Sequence, residues 1–83
     1  MGARKKTPLG RAFGSALKAA REKSGLSQEE LAARIDYSRV QVAFFETAVS
    51  TPTLQALIRL EQALGLPPGE LTRRTVEILP RRR

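Results

Sequence analysis

The chain has 83 residues and carries 15 Lys and Arg against 8 Asp and Glu, a net charge of +7, with no cysteine and no histidine. This composition excludes disulfides, a zinc site and the common nucleophile and base pairs, so neither an enzyme activity nor a metal or cofactor site is expected. At such a size a hydrophobic core is marginal by itself, which makes a partner chain an expectation.

The charge is unevenly spread. Residues 1 to 11 hold Arg4, Lys5, Lys6 and Arg11 and no acid, +4; residues 73 to 83 hold five arginines against Glu77, also +4; the stretch between sums to −1. Basic ends on a nearly neutral body suit a module that grips a polyanion, with Lys5 and Lys6 as phosphate contacts. No apolar run is long enough for a membrane span, and the start Met-Gly-Ala-Arg-Lys-Lys lacks the apolar stretch of a secretion signal. A cytoplasmic, nucleoid-associated protein that binds no small molecule is expected.

Taken in chain order, residues 1–8 read as a basic, unpatterned arm. A first helix is predicted from Leu9 or Gly10 to Lys23, with Phe13, Ala16, Leu17 and Ala20 on one face and Gly25 as its left-handed stop. Ser27 then caps a second helix over about Gln28 to Ile35, and Glu30 completes a capping box. Asp36 and Tyr37 make a tight turn into a third helix, about Arg39 to Glu46, which begins at Ser38 and sets Val42 and Phe45 on one side. After a loop over residues 47–52, Thr53 caps a fourth helix in which Leu54, Leu57, Leu60 and Leu64 repeat at helical spacing until Gly65 and are expected to serve the core. A short fifth helix follows the Pro67-Pro68 loop. Residues 75–79 alternate apolar and polar side chains, and read as a short strand or, in preference, as part of a basic tail over residues 73–83. Ile58 and Leu66 have no obvious internal place and are candidates for a two-fold contact. Glu61 reads as the rim of such a contact or as an exposed residue.

Residues 9 to 71 resemble the phage-repressor type of helix-turn-helix domain, the lambda-repressor-like or XRE family. The likeness is carried by Leu-x-x-Ala-Arg-Glu-Lys-x-Gly-Leu-Ser-Gln-Glu-Glu-Leu-Ala, then by Ser38, Glu46, Pro52 and Leu57 to Leu66. In length the chain is most like the small restriction-modification controller proteins. The resemblance implies an all-α, five-helix domain over residues 9–72 that binds double-stranded operator DNA as a symmetric homodimer, the third helix lying in the major groove. It puts Arg39, Val40 and Phe44 at base-facing positions, and Thr47 and Ser50 at the DNA backbone. It also implies that Gln28 braces Arg39 and that Arg21 and Glu46 form a buried ion pair.

Residue chemistry adds to that picture. Arg39 can donate two parallel hydrogen bonds to a guanine edge, and Gln28 and Ser38 stand where free helix amides suit a phosphate. Val40 and Phe44, in positions that are often polar in the family, offer only van der Waals contact, for instance to thymine methyls. Phe44 is equally readable as packed beside Phe45 in the core, or as part of a surface for a partner protein, which leaves an antitoxin or adaptor as the second reading. Two departures concern turns: Asp36 and Ala48 stand where the family usually has Gly.

Overall fold

A computed structural model describes residues 6–80. It contains five α-helices, α1 Pro8–Lys23, α2 Gln28–Ile35, α3 Arg39–Glu46, α4 Leu54–Ala63 and α5 Glu70–Ile78, and no strand among the described residues. Lys5 lies outside the described residues.

Each early helix starts on a hydroxyl. The Gly10 amide donates to Thr7 Oγ1 at 2.9 Å, so α1 begins at Pro8, whose missing N–H is no loss in the first turn. Ser27 and Glu30 close the expected capping box, with amide-to-side-chain bonds of 2.8 and 3.0 Å. Ser38 and Gln41 form a second box of the same kind at the start of α3. The stops repeat as well. Gly25 (φ 74°) lets the Leu26 amide reach the Arg21 carbonyl, and Gly65 (φ 67°) lets the Leu66 amide reach that of Glu61.

Leu17, Leu31, Ile35, Val42, Leu60 and Leu71 form the fully buried centre. Helix α1 lies against both α3 and α5, while α2 lies against α3 and α4. Helices α1 and α3 approach so closely that a Cβ on Gly14 would stand 2.4 Å from the Glu46 carbonyl oxygen. Only glycine fits there. Helices α2 and α4 cap each other: Arg59 Nη1 donates to the Ile35 carbonyl at 3.2 Å, and Arg34 Nη1 to that of Ala63 at 3.3 Å.

Four sequence expectations need correction. Leu54 is not in the core but 72% exposed, because Ala56 and Leu60 supply the inward face of α4. Leu66 packs against the core cluster, so it does have an internal place. Residues 75–78 are neither strand nor tail but the second half of α5, which crosses the expected boundary at residue 73. Their alternation misleads because the inward face consists of Leu71 and the polar Thr75, whose hydroxyl donates to the Leu71 carbonyl at 2.7 Å, while Val76 and Ile78 lie exposed.

The fourth correction is Glu61, which is only 4% exposed. Its two carboxylate oxygens accept the amides of Gly69 and Leu71, each at 3.0 Å. These are amides of the α5 start, where Gly69 (φ 84°) has no side chain to cap them.

Candidate nucleic-acid interface

Helix α3 has two faces set by its period. Val42 and Phe45 point inward and are buried; Arg39, Val40, Ala43, Phe44 and Thr47 follow one another along the outside. The inner side is anchored at the turn, where Tyr37 stacks in a tilted arrangement on Phe45 with ring centroids 6.0 Å apart. Asp36 makes this turn in the left-handed conformation (φ 62°), a region in which Asp is better tolerated than most residues.

Phe44 does not share the core with Phe45. It is 43% exposed, and Val40 is 46% exposed. The outer face of α3 therefore carries one cation, Arg39, beside a run of apolar surface. Gln41 falls off this face, and its Oε1 accepts the Ser38 amide.

A hydrogen-bonded chain fixes Arg39 from behind. Arg21 on α1 donates through Nε to Glu46 Oε2 at 2.6 Å and through Nη2 to Oε1 at 3.1 Å, and its Nη1 reaches the Leu26 carbonyl at 2.8 Å. The Glu46 side chain is 2% exposed, and this bidentate pair raises the Arg21 pKa above its usual value. Gln28 Nε2 donates to the same Glu46 Oε1 at 3.0 Å, which leaves Gln28 Oε1 to accept from Arg39 Nη1 at 3.4 Å. The carboxylate thus decides which end of the Gln28 amide faces the arginine.

With Nε2 and Oε1 each engaged once, Gln28 keeps its second Nε2 hydrogen and its backbone amide to offer a phosphate. The Ser38 amide is taken up by its capping box. The Thr47 hydroxyl donates to the Ala43 carbonyl at 2.8 Å and keeps only acceptor capacity. Ser50 is half-buried, its amide bonded to the Phe44 carbonyl at 3.2 Å. Ala48 takes the left-handed conformation (φ 65°) that the family usually gives to Gly, so the turn after α3 is formed at some strain. Lys6 is exposed ahead of α1.

Two structural residues, Gly14 and Gln41, escaped the sequence reading, and Glu61 was misread. Gln41 had a legible signal, the Ser-x-x-Gln spacing of a capping box. Gly14 and Glu61 had none, because what each touches belongs to another element. Among the described residues, no group of acidic side chains could hold a metal ion, and no helix is long and apolar enough to cross a membrane.

The family model for helix-turn-helix proteins matches residues 17–71. Among solved structures, the fold is similar to that of the clp gene regulator ClgR from C. glutamicum, with a TM-score of 0.82 and 21% identity over 92% of this chain and 97% of that one. No curated protein matches the sequence. With the matched region running from the middle of α1 to the start of α5, the chain belongs to the helix-turn-helix family of the phage-repressor (XRE) type, a family of DNA-binding regulators and not of enzymes.

Proposed function

We propose that the protein is a homodimeric, sequence-specific transcription regulator of the cytoplasm that lays α3 in the major groove of a palindromic operator. Arg39, Val40 and Phe44 face the bases. The α2 start at Gln28, together with Ser38, Ser50, Lys5 and Lys6, meets the backbone on either side, and Thr47 joins them when its hydroxyl turns from the Ala43 carbonyl to a phosphate. The observation that carries this reading is the chain from Arg21 through Glu46 and Gln28 to Arg39, which orients one cation on an otherwise uncharged outer face. An arginine held in this way suits bidentate recognition of guanine.

For the dimer, α4 offers a strip without charge. Leu54, Ile58 and Gln62 follow at i, i+4 and i+8 with Gln55 beside them, all exposed, and the outer edge of Leu66 extends the strip. Covering it removes apolar area from water without desolvating an ion. Two copies joined there would carry their α3 helices to half-sites centred about 10 bp apart.

Selection from a random duplex pool tests the reading as a whole. It should enrich a palindrome whose binding weakens steeply with salt, and Ile58→Arg should convert a dimer to a monomer in sedimentation. A pool that enriches nothing would overturn the regulator. The exposed Val40 and Phe44 would then favour the second reading, an antitoxin or adaptor whose α3 meets a protein.

A further inference from the structure

The outer face of α3 has little with which to read hydrogen-bonding edges. Arg39 is its only charged group, Thr47 has its hydrogen turned to the Ala43 carbonyl, and Gln41 falls off the face with its Oε1 in a cap. What remains is Ala43 with Val40 and Phe44, the last two about half exposed and one helical turn apart. A helix advances about 6 Å over four residues, against about 3.4 Å per base step, so Val40 and Phe44 reach pyrimidines about two steps apart.

An apolar side chain pressed on a base edge penalises some bases more than others. Over cytosine or adenine it would bury an exocyclic amine without an acceptor. A 5-methyl group on a pyrimidine, by contrast, turns apolar surface toward the groove at the place where these side chains end. Resting on the α3 reading above, we infer that each half-site is read by one guanine under Arg39 and by the 5-methyl groups of two pyrimidines under Val40 and Phe44. Two bases carry that group, thymine and 5-methylcytosine, of which only the second keeps the exocyclic amine.

The test replaces each thymine of the selected operator in turn by deoxyuridine, which removes the methyl and nothing else. Two positions per half-site should each weaken binding about fourfold, the value of one buried methyl. Val40→Ala should abolish the effect at one of them and Phe44→Ala at the other. Both side chains are exposed, so the fold is not at risk. At the same positions, 5-methylcytosine paired with guanine separates the two sources: retained affinity assigns the methyl of either base, and lost affinity assigns thymine. Deoxyuridine substitutions without effect on a strongly enriched operator would overturn the methyl readout while leaving the regulator standing. A pool without enrichment would overturn both.

Discussion

Glu46 and Glu61 stand in the last turns of successive helices, both with carboxylates withdrawn from water, yet they are neutralised in different ways. Glu46 meets a cation from α1 and an amide side chain from α2, whereas Glu61 meets only the backbone amides at the start of α5. The first arrangement ends at a surface arginine, and the second ends inside the fold. A buried carboxylate in this small domain is therefore either a link to the interface or a clamp between helices, according to whether its donors are side chains or amides.

The largest effect should come from cutting the first arrangement. Arg21→Ala leaves the Glu46 charge buried without its cation and should cost about 3 to 5 kcal/mol, read from urea denaturation. Replacing the pair together, Arg21→Met with Glu46→Leu, should recover most of that loss, since apolar substitutes for buried pairs are often neutral. The guanine preference of Arg39 should nonetheless be impaired in the double variant, because Gln28 has lost the acceptor that orients it. A double variant with full base discrimination would break the link drawn between α1 and the interface.

Glu61→Gln addresses the clamp. One oxygen remains to accept and the charge is lost, so the expected cost is about 1.5 to 3 kcal/mol, the range for hydrogen bonds to a charged group. DNA selectivity below the melting point should be unchanged, because the side-chain bonds of Glu61 go to the start of α5 and not to α3. Altered selectivity would show that the two arrangements are coupled.

Gln28→Ala should matter least to stability of these three: it removes one donor from a carboxylate that keeps both of its Arg21 bonds, so its cost should fall at the lower end of the range for hydrogen bonds to a charged group, about 1.5 kcal/mol. Its effect belongs to recognition. Guanine under a well-placed arginine is discriminated by about 1 to 3 kcal/mol, and much of that should disappear in competition binding against duplexes altered at one base pair. Gln28→Glu makes the contrast sharper, since a second carboxylate beside Glu46 repels it and loses the Nε2 donor. Unchanged guanine preference in both variants would leave Arg39 oriented by something else.

How far these two arrangements were legible in the sequence follows from the reach of their bonds. Ser27 with Glu30 announces α2 within a single turn, and Ser38 with Gln41 announces α3 in the same way. Gln28 meets Arg39 across eleven positions, a contact that entered only through resemblance to a family, as did the pairing of Arg21 with Glu46. Glu61 reaches amides eight and ten residues ahead through a turn whose path depends on Gly65 and Gly69, so no local pattern marks it. The exposure of Phe44 was open for a related reason. Adjacent residues on a helix stand about 100° apart, which is within the width of an apolar face, so periodicity fitted Phe45 without saying whether Phe44 is covered beside it.

A third glutamate, Glu70, marks the lower end of the comparison, because its partners are partly exposed arginines of its own helix. Arg73 and then Arg74 hydrogen-bond its carboxylate and hold its pKa down to about 2. The sign follows from linkage: a carboxyl whose pKa is lowered by folding adds stability that is complete above the ordinary carboxylate range near 4.5 and is lost as pH falls toward about 2. Solvent screening keeps such a surface contribution small. The difference in urea midpoint between the wild type and Glu70→Gln should therefore be modest near pH 6 and shrink steadily below pH 4.5. Glu30 is also held low, by its bonds to Ser27, and titrates in both proteins, so only the difference isolates Glu70. If that difference kept its size down to pH 2.5, what Glu70 contributes would come from packing at the start of α5 and not from its charge, placing it nearer to a neutral cap than to either buried glutamate.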